Sequence, residues 1–120
     1  MKMMVNLYLD DDLINRPTPT SFKRFTSGEE LLAYLDQHPD VQIDSISLDN
    51  DLGQGKIEGY DLVKELVNRQ VAVKRYLIHT ANIIAQQNMI SYLAQAMRCK
   101  LIPQAPIKII TSRNDYHERD

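Results

Sequence analysis

Short apolar segments alternate with amphipathic segments along the chain, and this alternation restricts the fold more than any other feature of the sequence. Five apolar runs have the length of buried strands: about Met3–Leu9, Ser21–Phe25, Ser45–Leu48, Val73–Ile78 and Ile107–Thr111. Strands that are separated by helical segments favour a parallel sheet over a series of hairpins. We therefore predict an α/β fold, an open parallel sheet of about five strands with helices on both faces.

Three segments between these runs have a helical pattern. Ser27 is a good N-cap residue, and Glu30 follows it at the capping-box spacing, so a helix is expected to begin there. The later segments place apolar residues on one helical face and charged residues on the other. The predicted helices are about Ser27–Gln37, Gly59–Arg69 and Ile84–Met97.

The size and charge of the chain exclude several classes of protein. Its 120 residues are enough for one domain without disulfides, and we assign 1–111 to that domain and 112–120 to a polar C-terminal tail. A net charge of −2 does not indicate a broad nucleic-acid surface, and Cys99 is the only cysteine. No apolar window approaches the roughly 18 residues of a membrane span, and the N-terminal apolar stretch is short for a signal peptide. We expect a cytoplasmic protein.

Acidic and polar residues follow three of the predicted strands. They are Asp10, Asp11 and Asp12 after the first, Asp49, Asn50 and Asp51 after the third, and His79, Thr80, Ala81 and Asn82 after the fourth. In open parallel sheets, ligands bind outside the carboxyl ends of the strands. Clustered carboxylates repel one another, and Mg²⁺ or Ca²⁺ relieves this repulsion. Because Mg²⁺ also favours phosphate as a ligand, we predict a site for a phosphate-bearing partner.

Simpler explanations exist for each of these residues. An acidic turn is often only a solvated turn, and a single histidine is more often a packed side chain than a functional one. Thr80 and Asn82 could cap the following helix. A calcium-binding EF-hand loop beginning at Asp49 is excluded, because Gln54 stands where glycine is needed and Tyr60 where glutamate is needed.

Several motifs, in the right order, resemble the receiver domains of response regulators, and more closely the cyclic-phosphate processing receiver-like proteins. The corresponding segments read LYLDDD, NRPTP, SLDNDLG, EGYDLV and HTAN, and the resemblance extends from about Met3 to Met97. It implies a receiver/flavodoxin-like sheet with the strand order 2-1-3-4-5, and here the last helix of ordinary receivers is missing. Asn50 stands where the family usually has histidine, and an amide cannot titrate.

The resemblance also implies a role for each matching residue. The implied ligands of Mg²⁺, or of another divalent cation, are Asp10, Asp11 and Asp49. The implied catalytic residues are Asp49, Asp51 and His79, and the implied phosphate-binding residues are Arg16, Asn50, Thr80 and Asn82. Ordinary receivers carry a Lys-Pro pair after the fifth strand; the region LIPQAP has no lysine, which argues against switching by phosphorylation.

Two functions in different classes remain open. The first is metal-dependent hydrolysis of a cyclic phosphate on a nucleotide or RNA end, in which Asp51 or His79 moves the proton and Arg16 neutralises charge. The second is a non-enzymatic, stand-alone receiver-like module that binds a phosphate ligand or a protein partner.

The expected partners are a phosphate-bearing small molecule or nucleic-acid end, no membrane, and a second copy of the chain. Three helices cannot cover both faces of an apolar sheet, and a homodimer through the C-terminal helix and strand would bury the remainder. The expected contact is the helix around Met89, Tyr92 and Met97 together with the strand Ile107–Ile110. Alternatively, Lys100–Pro106 folds back over the gap and the protein is a monomer.

Overall fold

The computed structural model describes residues 3–53, 55–112 and 115–116. Its strands are β1 (Met4–Leu9), β2 (Lys23–Phe25), β3 (Gln42–Leu48), β4 (Val73–Ile78) and β5 (Ile107–Ile109). Its helices are α1 (Gly28–Gln37), α2 (Gly59–Asn68) and α3 (Ile83–Arg98). Every predicted element is present; the largest change is in β3, which begins at Gln42 instead of Ser45.

The five strands form one parallel sheet in the order β2-β1-β3-β4-β5. The predicted fold class, an open α/β sheet of receiver/flavodoxin-like type in the order 2-1-3-4-5, is therefore confirmed. Ser27 caps α1 as predicted, because its hydroxyl accepts a hydrogen bond from the backbone N–H of Glu30. Helix α2 begins instead with a capping box between Glu58 and Asp61.

All three helices pack on the same face of the sheet. Their buried side chains form one core cluster with alternate strand residues, such as Leu7 and Leu9 of β1 and Ile46 and Leu48 of β3. Right-handed crossovers explain this arrangement. The connections from β2 to β3, from β3 to β4 and from β4 to β5 all advance across the sheet in the same direction, so their helices lie on the same face. The helices that we expected on both faces therefore lie on one.

The opposite face is covered by side chains from the β1–β2 connection and from the C-terminal segment. Phe22 and Tyr116 pack there against Tyr8, Leu77 and Ile110 in a second buried cluster. Tyr116 belongs to the segment that we assigned to a polar C-terminal tail, and its side chain is buried. A buried aromatic side chain removes about 150–250 Å² from water, so the gain from burying Tyr116 exceeds the cost of ordering the polar residues beside it. Residues 113–114 and 117–120 of that tail lie outside the described residues.

Most of the side chains that we placed at a dimer contact belong to the core. Met89 and Met97 are buried and Tyr92 is half-buried, because the buried stripe of α3 runs through Met89, Leu93 and Ala96. Ile102, from the Lys100–Pro106 segment, also packs into the core on the helix side. Met89 and Met97 are therefore not available for the expected dimer contact. The homodimer itself stays a prediction.

Among the helices in the described part of the chain, none combines the length and the apolar composition needed to cross a membrane.

Replacing Leu66 with alanine tests the helix-side core. This side chain is 1% exposed, so the substitution should lower the free energy of unfolding by about 2–5 kcal/mol through lost burial and a residual cavity. Leu13→Ala is the matched control, since Leu13 is 63% exposed and its loss should change stability by less than about 0.5 kcal/mol. Urea denaturation measures both, and equal effects would contradict the described packing.

Candidate functional site

The carboxyl edge of the sheet brings together Asp10, Asp49 and His79. One carboxylate oxygen from each aspartate and one imidazole nitrogen lie within 4.8 Å of one another, and all three side chains are buried. The strand register explains the convergence, because each of these residues directly follows one of three side-by-side strand ends. Those paired ends are Leu9 of β1, Leu48 of β3 and Ile78 of β4.

Asp10 is a fully buried carboxylate that is held in its ionised form. Its Oδ2 accepts a hydrogen bond from Nε2 of His79 at 2.9 Å, and its Oδ1 accepts one from the backbone N–H of Asp12 at 2.8 Å. Burial alone would raise the pKa of Asp10. The two hydrogen bonds and the positive charge of Arg16 outweigh burial, so the pKa of Asp10 lies below its ordinary value.

Asp49 has the opposite electrostatic environment, although it lies beside Asp10. Burial and the negative charge of Asp10 raise the pKa of Asp49 above its ordinary value. The hydrogen bond that its Oδ1 accepts from the backbone N–H of Asn50, at 2.8 Å, opposes this shift without cancelling it. The two neighbouring carboxylates are therefore unequal, and Asp49 is the one that takes up a proton more readily.

Arg16 reaches this pair from the β1–β2 connection. Its Nη1 lies 3.5 Å from Oδ2 of Asp10 and 3.5 Å from Oδ1 of Asp49, and it donates a hydrogen bond to the carbonyl of His79 at 3.0 Å. The predicted phosphate-binding arginine is thus a cation that bridges both carboxylates. Its side chain is about a third exposed.

Arg24 of β2 supports the loop that carries Arg16, and sequence reasoning missed it. Its Nη1 donates to the carbonyl of Arg16 at 2.7 Å and to the hydroxyl of Thr18 at 3.2 Å. Its Nη2 lies 3.9 Å from Oδ1 of Asp10. An arginine in the short segment predicted as the second strand was the available signal.

Ser47 is the second residue that sequence reasoning missed. Its Oγ lies 2.8 Å from Nδ1 of His79, while the ring of Tyr8 stacks on the imidazole at a centroid distance of 4.7 Å. Asp10, His79 and Ser47 have the residue types of a hydrolase triad, yet Ser47 is completely buried and cannot reach a bound substrate. A serine between apolar neighbours in a strand was the signal for a buried polar contact.

Asp11 and Asp51 lie outside the cluster. Both are exposed; Oδ1 of Asp51 accepts a hydrogen bond from Nδ2 of Asn50 at 3.1 Å, and the carboxylate of Asp11 points towards Gly53 in the β3–α2 loop. The structure therefore groups His79, rather than the predicted Asp11, with Asp10 and Asp49. The role of Asp11 as a metal ligand stays a prediction.

Asn50 braces the β3–α2 loop. It is buried; its Oδ1 accepts from the backbone N–H of Tyr60 at 3.0 Å, and its Nδ2 also donates to Glu58 at 3.0 Å. Beside it, the backbone of α2 approaches so closely that a Cβ on Gly59 would overlap the carbonyl oxygen of Asp49. A phosphate contact of Asn50, as predicted, would require these loop bonds to break.

Asn82 has the capping role that was weighed for it, and Thr80 holds the backbone of this cap residue. Oγ1 of Thr80 accepts from the backbone N–H of Asn82 at 3.1 Å. Oδ1 of Asn82 accepts from the backbone N–H of Ala85 at 3.0 Å and caps α3. Their roles in phosphate binding stay predictions.

The segment LIPQAP precedes β5 instead of following it, so its comparison with the receiver Lys-Pro pair was misplaced. The residues that follow β5 are Ile110, Thr111 and Ser112. The argument against switching by phosphorylation is unchanged, because no lysine follows β5 either.

The unequal carboxylates predict substitutions with opposite effects. Without added metal, Asp49→Asn should raise the free energy of unfolding, because burial and Asp10 disfavour its ionised form. Asp10→Asn should lower it by about 1–3 kcal/mol, since His79 and Asp12 lose their charged acceptor. Urea denaturation in EDTA at neutral pH measures both. The exposed Asp40→Asn serves as a near-neutral control, and destabilisation of similar size by both site variants would refute the opposite shifts.

Comparison with known proteins agrees with this geometry. The structure resembles a fusion protein that carries a segment of the yeast Spc42 trimeric coiled coil, with a TM-score of 0.59, 12% identity, and coverage of 98% of this chain and 75% of that one. It also resembles the Legionella pneumophila response regulator LqsR, with a TM-score of 0.50 and 14% identity over 95% of this chain and 39% of that one. These likenesses show the fold.

No curated protein matches the sequence. The family model described as the cyclic-phosphate processing receiver domain matches residues 5–95, which include every predicted site residue. The chain therefore belongs to the cyclic-phosphate processing receiver domain family.

Proposed function

We propose that this protein hydrolyses a cyclic phosphate on a nucleotide or RNA end with the help of a divalent cation, Mg²⁺ first among them. The observation that carries the proposal is the pair of buried carboxylates, Asp10 and Asp49, bridged by Arg16 at the ligand-binding edge of the sheet. The family described for processing cyclic phosphates supports the substrate class.

The residues present fit a divalent cation. Two carboxylate oxygens are near enough to share one ion, and hard cations prefer such ligands. Arg16 already places positive charge between the carboxylates, and its partly exposed side chain has room to turn outward. Asp10 and Asp49 would hold the ion, together with Asp11 or His79. Both ring nitrogens of His79 are in hydrogen bonds, so Asp11 is the better third ligand.

The proposed reaction breaks one phosphorus–oxygen bond of the cyclic ester. A bound cation would polarise the phosphoryl oxygens. The oxygen of water attacks phosphorus, its proton passes to the carboxylate of Asp49 or Asp51, and the released ester oxygen takes up a proton to become a hydroxyl. Arg16, turned from the carboxylates to the phosphate, donates two parallel hydrogen bonds to the developing charge. His79 holds Asp10 in place.

A binding module without catalysis is the second candidate, and one observation favours it. Four large apolar side chains, between 58% and 89% exposed, follow the strands that carry the site: Leu13, Ile14, Ile83 and Ile84. Exposed apolar surface next to a polar site is typical of a surface that docks a partner. In this case, ligand binding at the site would occur without turnover.

A combined binding and turnover experiment tests the proposal. Mg²⁺ or Mn²⁺ should raise the melting temperature by mass action, and 2′,3′-cyclic or 3′,5′-cyclic nucleotides should be opened to monoesters. Asp49→Asn should abolish the thermal shift and reduce turnover by about 10²-fold or more. Asp40→Asn, an exposed carboxylate between α1 and β3, should leave both unchanged.

Binding of cation and nucleotide without turnover would favour the binding module. A melting temperature that is indifferent to every divalent cation tested would refute the metal site.

Phosphorylation of Asp49 is expected to leave no stable product. Asp10 places a negative charge and Arg16 a positive charge beside Asp49, and no lysine follows β5 to neutralise a phosphoryl group. Intact-mass spectrometry after treatment with acetyl phosphate should show only the unmodified chain. A persistent phosphate adduct that Asp49→Asn removes would overturn this expectation.

A further inference from the structure

A buried chain of hydrogen bonds connects the C-terminal segment to the candidate site. The phenol oxygen of Tyr116 lies 2.8 Å from Oγ of Ser47, and the same Oγ lies 2.8 Å from Nδ1 of His79. Nε2 of His79 lies 2.9 Å from Oδ2 of Asp10. All four side chains are buried, so each bond lies away from water.

The carboxylate of Asp10 sets the direction of the first bond in this chain. Asp10 only accepts, so Nε2 of His79 carries the hydrogen and donates it. In the tautomer that carries its hydrogen on Nε2, Nδ1 accepts from the hydroxyl of Ser47. The oxygen of Ser47 accepts in turn from the phenol of Tyr116. Hydrogen bonds that point in one direction polarise one another, so the chain favours a single tautomer of His79.

Aromatic contacts fix the remaining freedom of the imidazole ring. Tyr8 stacks on it with an angle of 5° between the ring planes. The ring of Tyr116 makes T-shaped contacts with Tyr8 and Phe22 at centroid distances of 6.1 Å and 5.6 Å. The hydrogen bonds therefore restrict rotation of the His79 imidazole within its own plane, and stacking restricts the tilt of that plane. Tyr116 contributes to the hydrogen bonds through Ser47 and to the stacking through Tyr8.

We propose that Ser47 and Tyr116 are positioning residues of this site: they orient His79, which in turn orients the carboxylate of Asp10 towards a bound cation. The assignment rests on the proposed function, and it extends the site beyond residues 5–95, because Tyr116 lies outside the segment that matches the family. Partners that orient metal ligands typically change metal affinity 10- to 100-fold when they are removed.

The variant Tyr116→Phe tests the proposal, because it removes the hydroxyl and keeps the ring that packs on Tyr8. Its matched control is Tyr76→Phe, which removes the same hydroxyl from a buried tyrosine on the helix side of the sheet. Nitrogen-15 NMR of the histidine rings in metal-free protein reports the tautomer of His79. Thermal-shift titration with Mg²⁺ and Mn²⁺ reports affinity.

The wild type and Tyr76→Phe should show His79 with its hydrogen on Nε2. Tyr116→Phe should shift the Nδ1 signal and weaken cation binding about 10-fold or more. An unchanged Nδ1 signal overturns the proposal, and so does a changed signal with unchanged affinity, which would make the hydrogen-bonded chain purely structural.

The NMR measurement also separates the two proposals. If wild-type protein binds no cation, the proposed function fails, and the Nδ1 signal alone decides whether Tyr116 orients His79. If Tyr116→Phe does not fold, Ser47→Ala is measured in its place with the same expected results, because it interrupts the chain at its central hydroxyl.

Discussion

Two buried carboxylates at neighbouring strand ends repel each other, and the groups around them counter this repulsion. Arg16 bridges Asp10 and Asp49, His79 donates to Asp10, and Arg24 holds the loop that carries Arg16. Arg16 lies in the β1–β2 connection, which is a loop and not a helix. The site thus contains an internal positive charge whose place a metal ion could take.

The strand ends of a parallel sheet could be predicted because apolar runs, caps and crossovers follow local rules. This logic placed Asp10, Asp49 and His79 at the ends of strands, and the strand order implied by the family resemblance brought those ends to one edge. Ser47 and Tyr116 escaped prediction because their contact joins residues far apart in sequence and depends on which sheet face each side chain occupies. The exposure of Asp11 escaped it for a related reason, since a loop after a strand has no fixed side-chain alternation.

The two faces of the sheet are stabilised differently. The helix face is a continuous aliphatic core, whereas the other face depends on a few aromatic rings, with Tyr8 in contact with both His79 and Tyr116. Because the crossovers all run in one direction, no α-helix of the described residues lies on that face. The same face therefore carries the inner side of the candidate site, where Tyr8 is in direct contact with His79.

The two outermost strands, β2 and β5, are only three residues long. Unpaired backbone groups at a sheet edge are templates for pairing with other chains, and a short edge strand limits such aggregation. A shortened chain that ended at residue 95 would lose β5 and leave the longer β4, of six residues, as the edge strand of the sheet. A chain cut at the end of the segment that matches the family would therefore have a sheet edge prone to aggregation. The folding unit is longer than the matched segment.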